Sequence, residues 1–146
     1  MLEDVLIDSN ILLNEQVKTW EESIQRVSEP LINERVIEPR YVTAMIDSVK
    51  EYGPYIVIGK YIALAHARPE DGVNRLGVSV ATINEPIAFG NEENDPVKII
   101  FCLAAVDSYS HLNIMKSLIA LINDEEKIDR LSKETDVDRF KEILFS

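Results

Sequence analysis

The chain has 146 residues, of which 46% are apolar, and a formal net charge of -11 at neutral pH. This size is enough for one domain with a hydrophobic core, and the single cysteine excludes an internal disulfide and fits a reducing cytoplasm. The acidic charge argues against nucleic acid and suits a partner with a basic docking face, although such charge also serves solubility alone.

The first third of the chain predicts two helices after a short apolar stretch. An apolar stretch near Ile11 to Leu13 precedes the run Thr19-Trp20-Glu21-Glu22, which has the spacing of a helix-capping box. We expect Pro30 to kink or end the helix that follows, because proline removes one amide donor. A second helix is expected to begin at Glu38-Pro39, where proline is tolerated in the first turn, and to stop near Gly53.

The middle of the chain changes to short, β-branched or continuously apolar runs, bounded by Gly, Pro, Asn or Asp. These runs predict four strands, at Tyr55 to Ile58, Ile62 to Ala65, Leu76 to Ile83 and Val97 to Ala105. The last is apolar at nearly every position, which is typical of a central strand covered on both faces.

The last third predicts three helices. The first carries Leu112, Met115, Leu118, Ile119 and Ile122, the second Ile128 and Leu131, and the third runs from Thr135 to Phe145 with Thr135 and Asp138 at capping-box spacing. Helices at both ends with strands between them predict an α/β fold, a three-layer sandwich with a mixed sheet of about five strands. No internal repeat or flexible linker interrupts the chain, so we expect a single domain over residues 1–146.

The chain has two histidines, and each follows a predicted strand. His66 comes directly after Ile62 to Ala65, and Arg68 follows two residues later. A histidine at a strand end is more often a structural residue, but a guanidinium beside it can hold a phosphate or carboxylate with two hydrogen bonds. This pairing suits phosphoryl transfer, in which catalysis is mainly positioning and charge stabilisation.

The second histidine, His111, lies near the start of a predicted helix. If Ser108 is the N-cap, His111 is the third helical residue, and the free amides there can bind an anion. The alternative is a core histidine, because His111 shares helical spacing with Met115, Leu118 and Ile122. Two imidazoles at two strand ends can converge on one site.

Other chemistries have weaker signals. The two histidines and Cys102 lack the spacing of a zinc site, and a cysteine in a buried strand is usually a small apolar residue. The acidic run 91–95 lacks the spacing of a calcium loop and predicts a solvated turn. The sequence has no P-loop, dinucleotide fingerprint or nucleophile elbow. We therefore expect no metal and no cofactor, and any phosphoryl group must come from another protein.

Several segments, in the same order, resemble one family. The run Ala63-Leu64-Ala65-His66-Ala67-Arg68-Pro69-Glu70-Asp71-Gly72-Val73 is similar to the active-histidine segment of enzyme IIA components of the phosphoenolpyruvate-dependent sugar phosphotransferase system, in the mannitol-fructose superfamily. Further segments look most like the ascorbate-specific IIA proteins: Glu38-Pro39-Arg40-Tyr41, Tyr52-Gly53-Pro54-Tyr55, Asn91 to Val97, Ala104 to Asp107, and Ser110-His111.

The resemblance implies a IIA type-2 domain that carries phosphoryl groups. His66 would accept the group on Nε2 from the phosphohistidine carrier protein, with His111 beside it as an orienting residue. The acceptor would be a cysteine of a IIB component, which forms the transporter with a membrane IIC permease. Mannitol-type members carry an arginine at the position of Ser48, so we expect Arg68 to hold the phosphate instead.

The resemblance also leaves a second role open. A regulatory IIA-like module would use phosphorylation of His66 to signal rather than to serve transport. For either role we expect a cytoplasmic protein, because no apolar run is long enough to span a membrane and no secretory signal is visible. The docking face should be an apolar patch around His66 with acidic residues at its rim.

Overall fold

A five-stranded mixed β-sheet forms the middle layer of the protein. The structure is a computed structural model and describes residues 2–146. The strands are β1 (Ile11–Glu15), β2 (Val57–Gly59), β3 (Ile62–Ala65), β4 (Gly77–Ile87) and β5 (Val97–Ala104). They lie in the order β1-β4-β5-β3-β2; β1 with β4 and β3 with β5 are parallel, and the other two pairs are antiparallel. The predicted mixed sheet is confirmed.

Helices cover both faces of the sheet. They are α1 (Leu2–Val5), α2 (Trp20–Asn33), α3 (Pro39–Tyr52), α4 (Ser108–Ile122), α5 (Glu125–Lys133) and α6 (Val137–Leu144). The helices α2 and α3 pack on one face, and α1, α4, α5 and α6 pack on the other. The predicted three-layer sandwich is confirmed, and none of the helices in residues 2–146 is long and apolar enough to cross a membrane.

Side chains of the central strands point alternately to the two faces of the sheet and divide the core into two apolar clusters. In β3, Ala63 and Ala65 face the α2 and α3 side, whereas Ile62 and Leu64 face the α4 side. Successive side chains of a strand point to opposite faces of its sheet, so a strand buried on both faces must be apolar throughout. This explains the continuous apolar run of β5, in which Phe101 is also fully buried.

The first long helix begins as predicted but continues further. The Thr19 hydroxyl accepts a hydrogen bond from the Glu22 amide at 3.1 Å. Of the two expected effects of Pro30, an end of the helix at that residue is not observed, because α2 continues to Asn33, and a kink stays a prediction. Pro30 is buried and lies in the last turn, where the pyrrolidine ring removes one hydrogen bond but packs into the core.

Three other boundaries differ from the prediction. β2 starts at Val57, because residues 53–57 form a turn in which the Val57 amide donates to the Pro54 carbonyl. β4 continues to Ile87 through an irregular register after Thr82. The predicted Thr135 cap of α6 is wrong: α6 starts at Val137 with Asp136 as N-cap, because the Glu134 carboxylate accepts from both the Thr135 and Asp136 amides.

Candidate functional site

The sheet topology brings the two histidines together. The parallel neighbours β3 and β5 end at the same edge, with Ala65 opposite Cys102. His66 directly follows β3, and the segment after β5 leads into α4, which carries His111. The two ring centroids lie 5.4 Å apart with an interplanar angle of 60°. The predicted convergence of the two imidazoles is therefore observed.

The local backbone decides which nitrogen of His66 is free. Nδ1 lies 2.9 Å from the Leu64 carbonyl oxygen. A carbonyl oxygen only accepts hydrogen bonds, so Nδ1 carries the proton and Nε2 keeps its lone pair. The His66 and Tyr55 rings also form a T-shaped pair, with 5.8 Å between centroids and 83° between planes. The imidazole is thus oriented as a neutral nucleophile with one available nitrogen.

The surroundings of His66 favour the neutral form. Burial lowers the pKa of His66 below its usual value of 6.5. The hydrogen bond to Leu64 opposes this effect, and the nearby imidazole of His111 adds to it. At neutral pH the ring is therefore uncharged, and Nε2 can attack an electrophile.

Two clefts meet at the histidine pair. The smaller, about 310 Å³, lies between the end of β5 and α4 and includes Leu103, Asp107 and Leu112. The larger, about 650 Å³, lies against α3 and includes Ser48. His66 and His111 line both, so a group bound on Nε2 is accessible from outside.

The start of α4 differs from the prediction. Asp107, not Ser108, is the N-cap, and its carboxylate accepts from the Ser110 amide at 2.7 Å. This hydrogen bond and that from the Ser110 hydroxyl hold the pKa of Asp107 below its usual range. The Ser110 amide is therefore already hydrogen-bonded. Phosphate binding by the start of α4 stays a prediction.

His111 is the fourth residue of α4 and is half-buried. The core alternative required it to lie on the buried stripe with Met115, Leu118 and Ile122, but the buried face is formed by Ile114, Leu118 and Leu121. His111 instead lies at the edge of that face, where it contacts His66.

Arg68 lines the larger cleft with His66, and its side chain is 76% exposed. Its Nε lies 3.6 Å from a Glu70 oxygen and 3.5 Å from an Asp71 oxygen. Among the residues that line the two clefts, Arg68 is the one lysine or arginine. Ser48 faces the same cleft and carries no charge.

The loop that carries Arg68 is anchored to the start of α3. Arg40 donates to the Glu70 carbonyl at 2.8 Å, and the Glu38 amide donates to the Gly72 carbonyl at 2.8 Å. Gly72 has φ of +137°, a conformation that side chains rarely adopt. The 310 turn at Pro69–Asp71 is thereby fixed beside His66.

Sequence reasoning missed one polar residue of the site. Tyr41 of α3 is fully buried, and its hydroxyl accepts from the Ala67 amide at 2.9 Å and donates to the Leu103 carbonyl at 2.7 Å. Burial raises the pKa of Tyr41 far above its usual range, so the hydroxyl stays protonated. On the apolar face of α3, a tyrosine reads as a core residue, and the sequence gives no signal of its two partners.

Two other features take no direct part in the site. Cys102 is fully buried with Sγ 3.9 Å from the Ser28 hydroxyl, and burial raises the pKa of its thiol to about 12. The acidic run 91–95 is a turn in which the Asp95 carboxylate accepts from the Phe89 and Gly90 amides.

Comparison with known proteins agrees with this geometry. The profile of the family described as "Phosphoenolpyruvate-dependent sugar phosphotransferase system, EIIA 2" matches residues 4–146. The chain belongs to this family. As an enzyme IIA it is a phosphotransferase of the type that works through a phosphohistidine intermediate, and enzymes IIA act together with a IIB partner.

Three relatives of this enzyme IIA are informative. The ascorbate-specific EIIA component of Escherichia coli is 39% identical over 132 residues, which are 89% of this chain and 86% of the relative. The mannitol-specific cryptic enzyme IIA from Escherichia coli is 30% identical, with a TM-score of 0.86 over 98% of this chain and 97% of that one. Mannitol enzyme IIA in complex with phosphorylated enzyme IIB, also from Escherichia coli, is 34% identical, with a TM-score of 0.81 over 93% and 94%.

Proposed function

We propose that this enzyme IIA is the phosphocarrier of an ascorbate transporter and that His66 carries the phosphoryl group. The observation that supports this role most directly is the orientation of His66, whose Nδ1–H is held by the Leu64 carbonyl while Nε2 is left free. The sugar follows from the relatives named ascorbate-specific. The single domain takes its substrate from one protein and delivers it to another in the cytoplasm.

The first transfer takes the group from the phosphohistidine carrier protein. The lone pair of His66 Nε2 attacks phosphorus in line with the donor nitrogen. A phosphorus-nitrogen bond forms on His66 as the donor's bond breaks, and the electron pair returns to the donor imidazole. No proton has to leave Nε2, because Nδ1 carries the ring proton.

The second transfer delivers the group to a cysteine of the IIB component. The thiolate attacks phosphorus, the bond to Nε2 breaks, and His66 regains its lone pair. The IIB component would then serve the membrane IIC permease. Enzyme IIA itself supplies positioning and charge stabilisation in both steps.

Two side chains are proposed to assist His66 in phosphoryl transfer. His111, with its ring 5.4 Å from that of His66, orients the phosphoryl group by a hydrogen bond. Arg68 stabilises the phosphoryl oxygens, because its guanidinium lies on an exposed loop that lines the His66 cleft. The small Ser48 leaves room for it, where mannitol-type members carry an arginine.

The surface around His66 suits transient docking of both partners. Five large apolar side chains are exposed near the clefts: Tyr52, Tyr55, Val106, Tyr109 and Leu112. Acidic residues line the same two clefts, namely Asp47, Glu51, Asp71 and Asp107. An apolar centre with a charged rim is typical of protein interfaces, and the acidic rim complements a basic partner.

Phosphorylation in a purified system tests the proposal. The protein is incubated with phosphoenolpyruvate, enzyme I and the carrier protein, and the modified residue is mapped by mass spectrometry at alkaline pH. We expect one acid-labile phosphoryl group on His66 and none in His66→Ala. Wild-type labelling of His66→Ala would refute the assignment.

The choice of sugar and the transport role need a second assay. Labelled protein is mixed with IIB components specific for ascorbate or mannitol. We expect fast transfer to the ascorbate IIB cysteine and slow transfer to the mannitol one. A phosphorylated protein that serves no IIB component would contradict the transport role and favour a regulatory module.

A further inference from the structure

Tyr41 is placed where the β3–β5 ladder stops. The Leu64 amide donates to Ile56 on the β2 side, so the backbone groups of Ala63, Ala65 and Ala67 point toward β5. In the register that pairs Ala65 with Cys102, the next hydrogen bond of the ladder would run from the Ala67 amide to the Leu103 carbonyl. That bond is replaced by two, because the Tyr41 hydroxyl lies between these groups.

The inserted hydroxyl controls the separation of two chain segments. His66 lies between Ala65, the last residue of β3, and Ala67, which Tyr41 holds. Leu103 lies at the end of β5, four residues before the N-cap of α4, the helix that carries His111. One buried oxygen therefore contacts both segments that present the histidine pair.

The contact is fully buried and has no competitor from solvent. Tyr41 has 0% exposure, and its ring belongs to the apolar cluster between the sheet and α3. The hydroxyl also lies 3.3 Å from the Ala67 carbonyl, so all of its partners are backbone groups of these two segments. Tyr41 also packs beneath the Arg68 loop, since a Cβ on Gly72 would lie 3.1 Å from the Tyr41 Cβ.

We propose that Tyr41 is a positioning residue for phosphoryl transfer, which sets the spacing between the His66 and His111 segments. This inference rests on the proposed function of His66. Removing the hydroxyl leaves the Ala67 amide and Leu103 carbonyl without partners, or lets the strand ends close and pair directly. Either outcome moves His66 relative to His111 and to the docked donor.

The test uses Tyr41→Phe, with Tyr61→Phe as the matched control. Tyr61 loses the same hydroxyl, but it precedes β3 at the opposite end and lines neither cleft. Single-turnover transfer from the phosphorylated carrier protein is measured well below the melting temperature of each variant. We expect Tyr41→Phe to be slower by about 10- to 100-fold, since a displacement of about 1 Å at a reacting group can cost that much, and Tyr61→Phe to match wild type.

Two NMR measurements separate positioning from loss of stability. In Tyr41→Phe the ring nitrogens of His66 should titrate at a different pH from wild type. The Ala67 amide should exchange faster with solvent if it is left without a partner, and should stay protected if it pairs directly with the Leu103 carbonyl. A purely structural role would lower the melting temperature without changing the His66 titration or the transfer rate of the folded protein. Wild-type rate and titration in folded Tyr41→Phe would overturn the inference.

If Tyr41→Phe does not fold in buffer alone, all three proteins are measured in an osmolyte that favours the compact state. The same rates and titrations then decide the question. Failure of the proposed function has a different signature: wild-type protein would not take a phosphoryl group on His66, whatever the behaviour of Tyr41→Phe.

Discussion

The side chain of Arg68 gives the sharpest test of how this site holds a phosphate. Its two acidic neighbours lie 3.5 Å and 3.6 Å from Nε, beyond the usual hydrogen-bond distance, and the side chain is 76% exposed. Exposed ion pairs of this kind contribute about 0 to 1 kcal/mol. Arg68 can therefore leave Glu70 and Asp71 at little cost when a phosphoryl group arrives.

The expected effect on transfer is larger than the effect on stability. A hydrogen bond to a charged group contributes about 1.5 to 3 kcal/mol. Subtracting about 0 to 1 kcal/mol for the ion pairs leaves about 0.5 to 3 kcal/mol, so Arg68→Ala should slow phosphoryl transfer by about 2- to 140-fold, since about 1.4 kcal/mol corresponds to a factor of ten. Arg68→Lys should be intermediate, because lysine keeps the charge and loses the two-pronged geometry.

The assay is rapid-quench single turnover with labelled carrier protein and excess enzyme IIA. Arg139→Ala is a matched control: Arg139 is 67% exposed on α6, its Nε lies 3.3 Å from a Glu134 oxygen, and it lines neither cleft. Both alanine variants should keep the wild-type melting temperature within a few degrees. Equal transfer rates for wild type and Arg68→Ala would remove Arg68 from the site and direct attention to a cation of the docked partner.

Three further predictions concern neighbouring features. His111→Ala should fold and still accept phosphate on His66, but transfer about 100-fold more slowly, as measured in the same quench assay; no acceptance by the folded variant would contradict a purely orienting role. The pKa of His66 is lowered in the folded protein, so below about pH 6.5 the unfolded chain binds more protons than the folded one. Wild type should therefore lose stability on acidification relative to His66→Ala, as measured by urea melts at several pH values. Parallel stability profiles for the two proteins would contradict this. Gly72→Ala should lower the free energy of unfolding by about 1 to 3 kcal/mol in urea denaturation. The loss should exceed that of Gly90→Ala, because both glycines have positive φ but only Gly72 is crowded by neighbouring atoms. Equal losses for the two variants would contradict an effect of crowding.

The sequence predicted the fold well where local chemistry decides. The Thr19 cap, the proline start and glycine end of α3, and the apolar run of β5 each depend on residues within a few positions. The end of α2 depends instead on tertiary packing, since Pro30 lies in a buried position that tolerates one missing hydrogen bond.

The candidate site can be predicted in part, where its geometry follows from local sequence and strand pairing. The sequence predicts that His66 and His111 meet, because each follows a predicted strand, and the parallel pairing of β3 with β5 brings both to one edge of the sheet. The sequence predicts the N-cap of α4 one residue too late, because Asp107 and Ser108 are both good N-caps. The role of Tyr41 needs three-dimensional contacts between residues 26 and 62 positions apart, which no local pattern contains.

The hydrogen bond between His66 Nδ1 and Leu64 has a kinetic consequence. With one nitrogen committed to the backbone, the ring offers a single reactive edge, and under the proposed function the phosphoryl donor and acceptor must both approach it. The two partners are therefore mutually exclusive, and no ternary complex can carry the reaction. Steady-state phosphoryl exchange should follow ping-pong kinetics, with parallel double-reciprocal plots. An excess of the carrier protein should inhibit by binding the phosphorylated enzyme, and an excess of the IIB component should inhibit by binding the unphosphorylated enzyme.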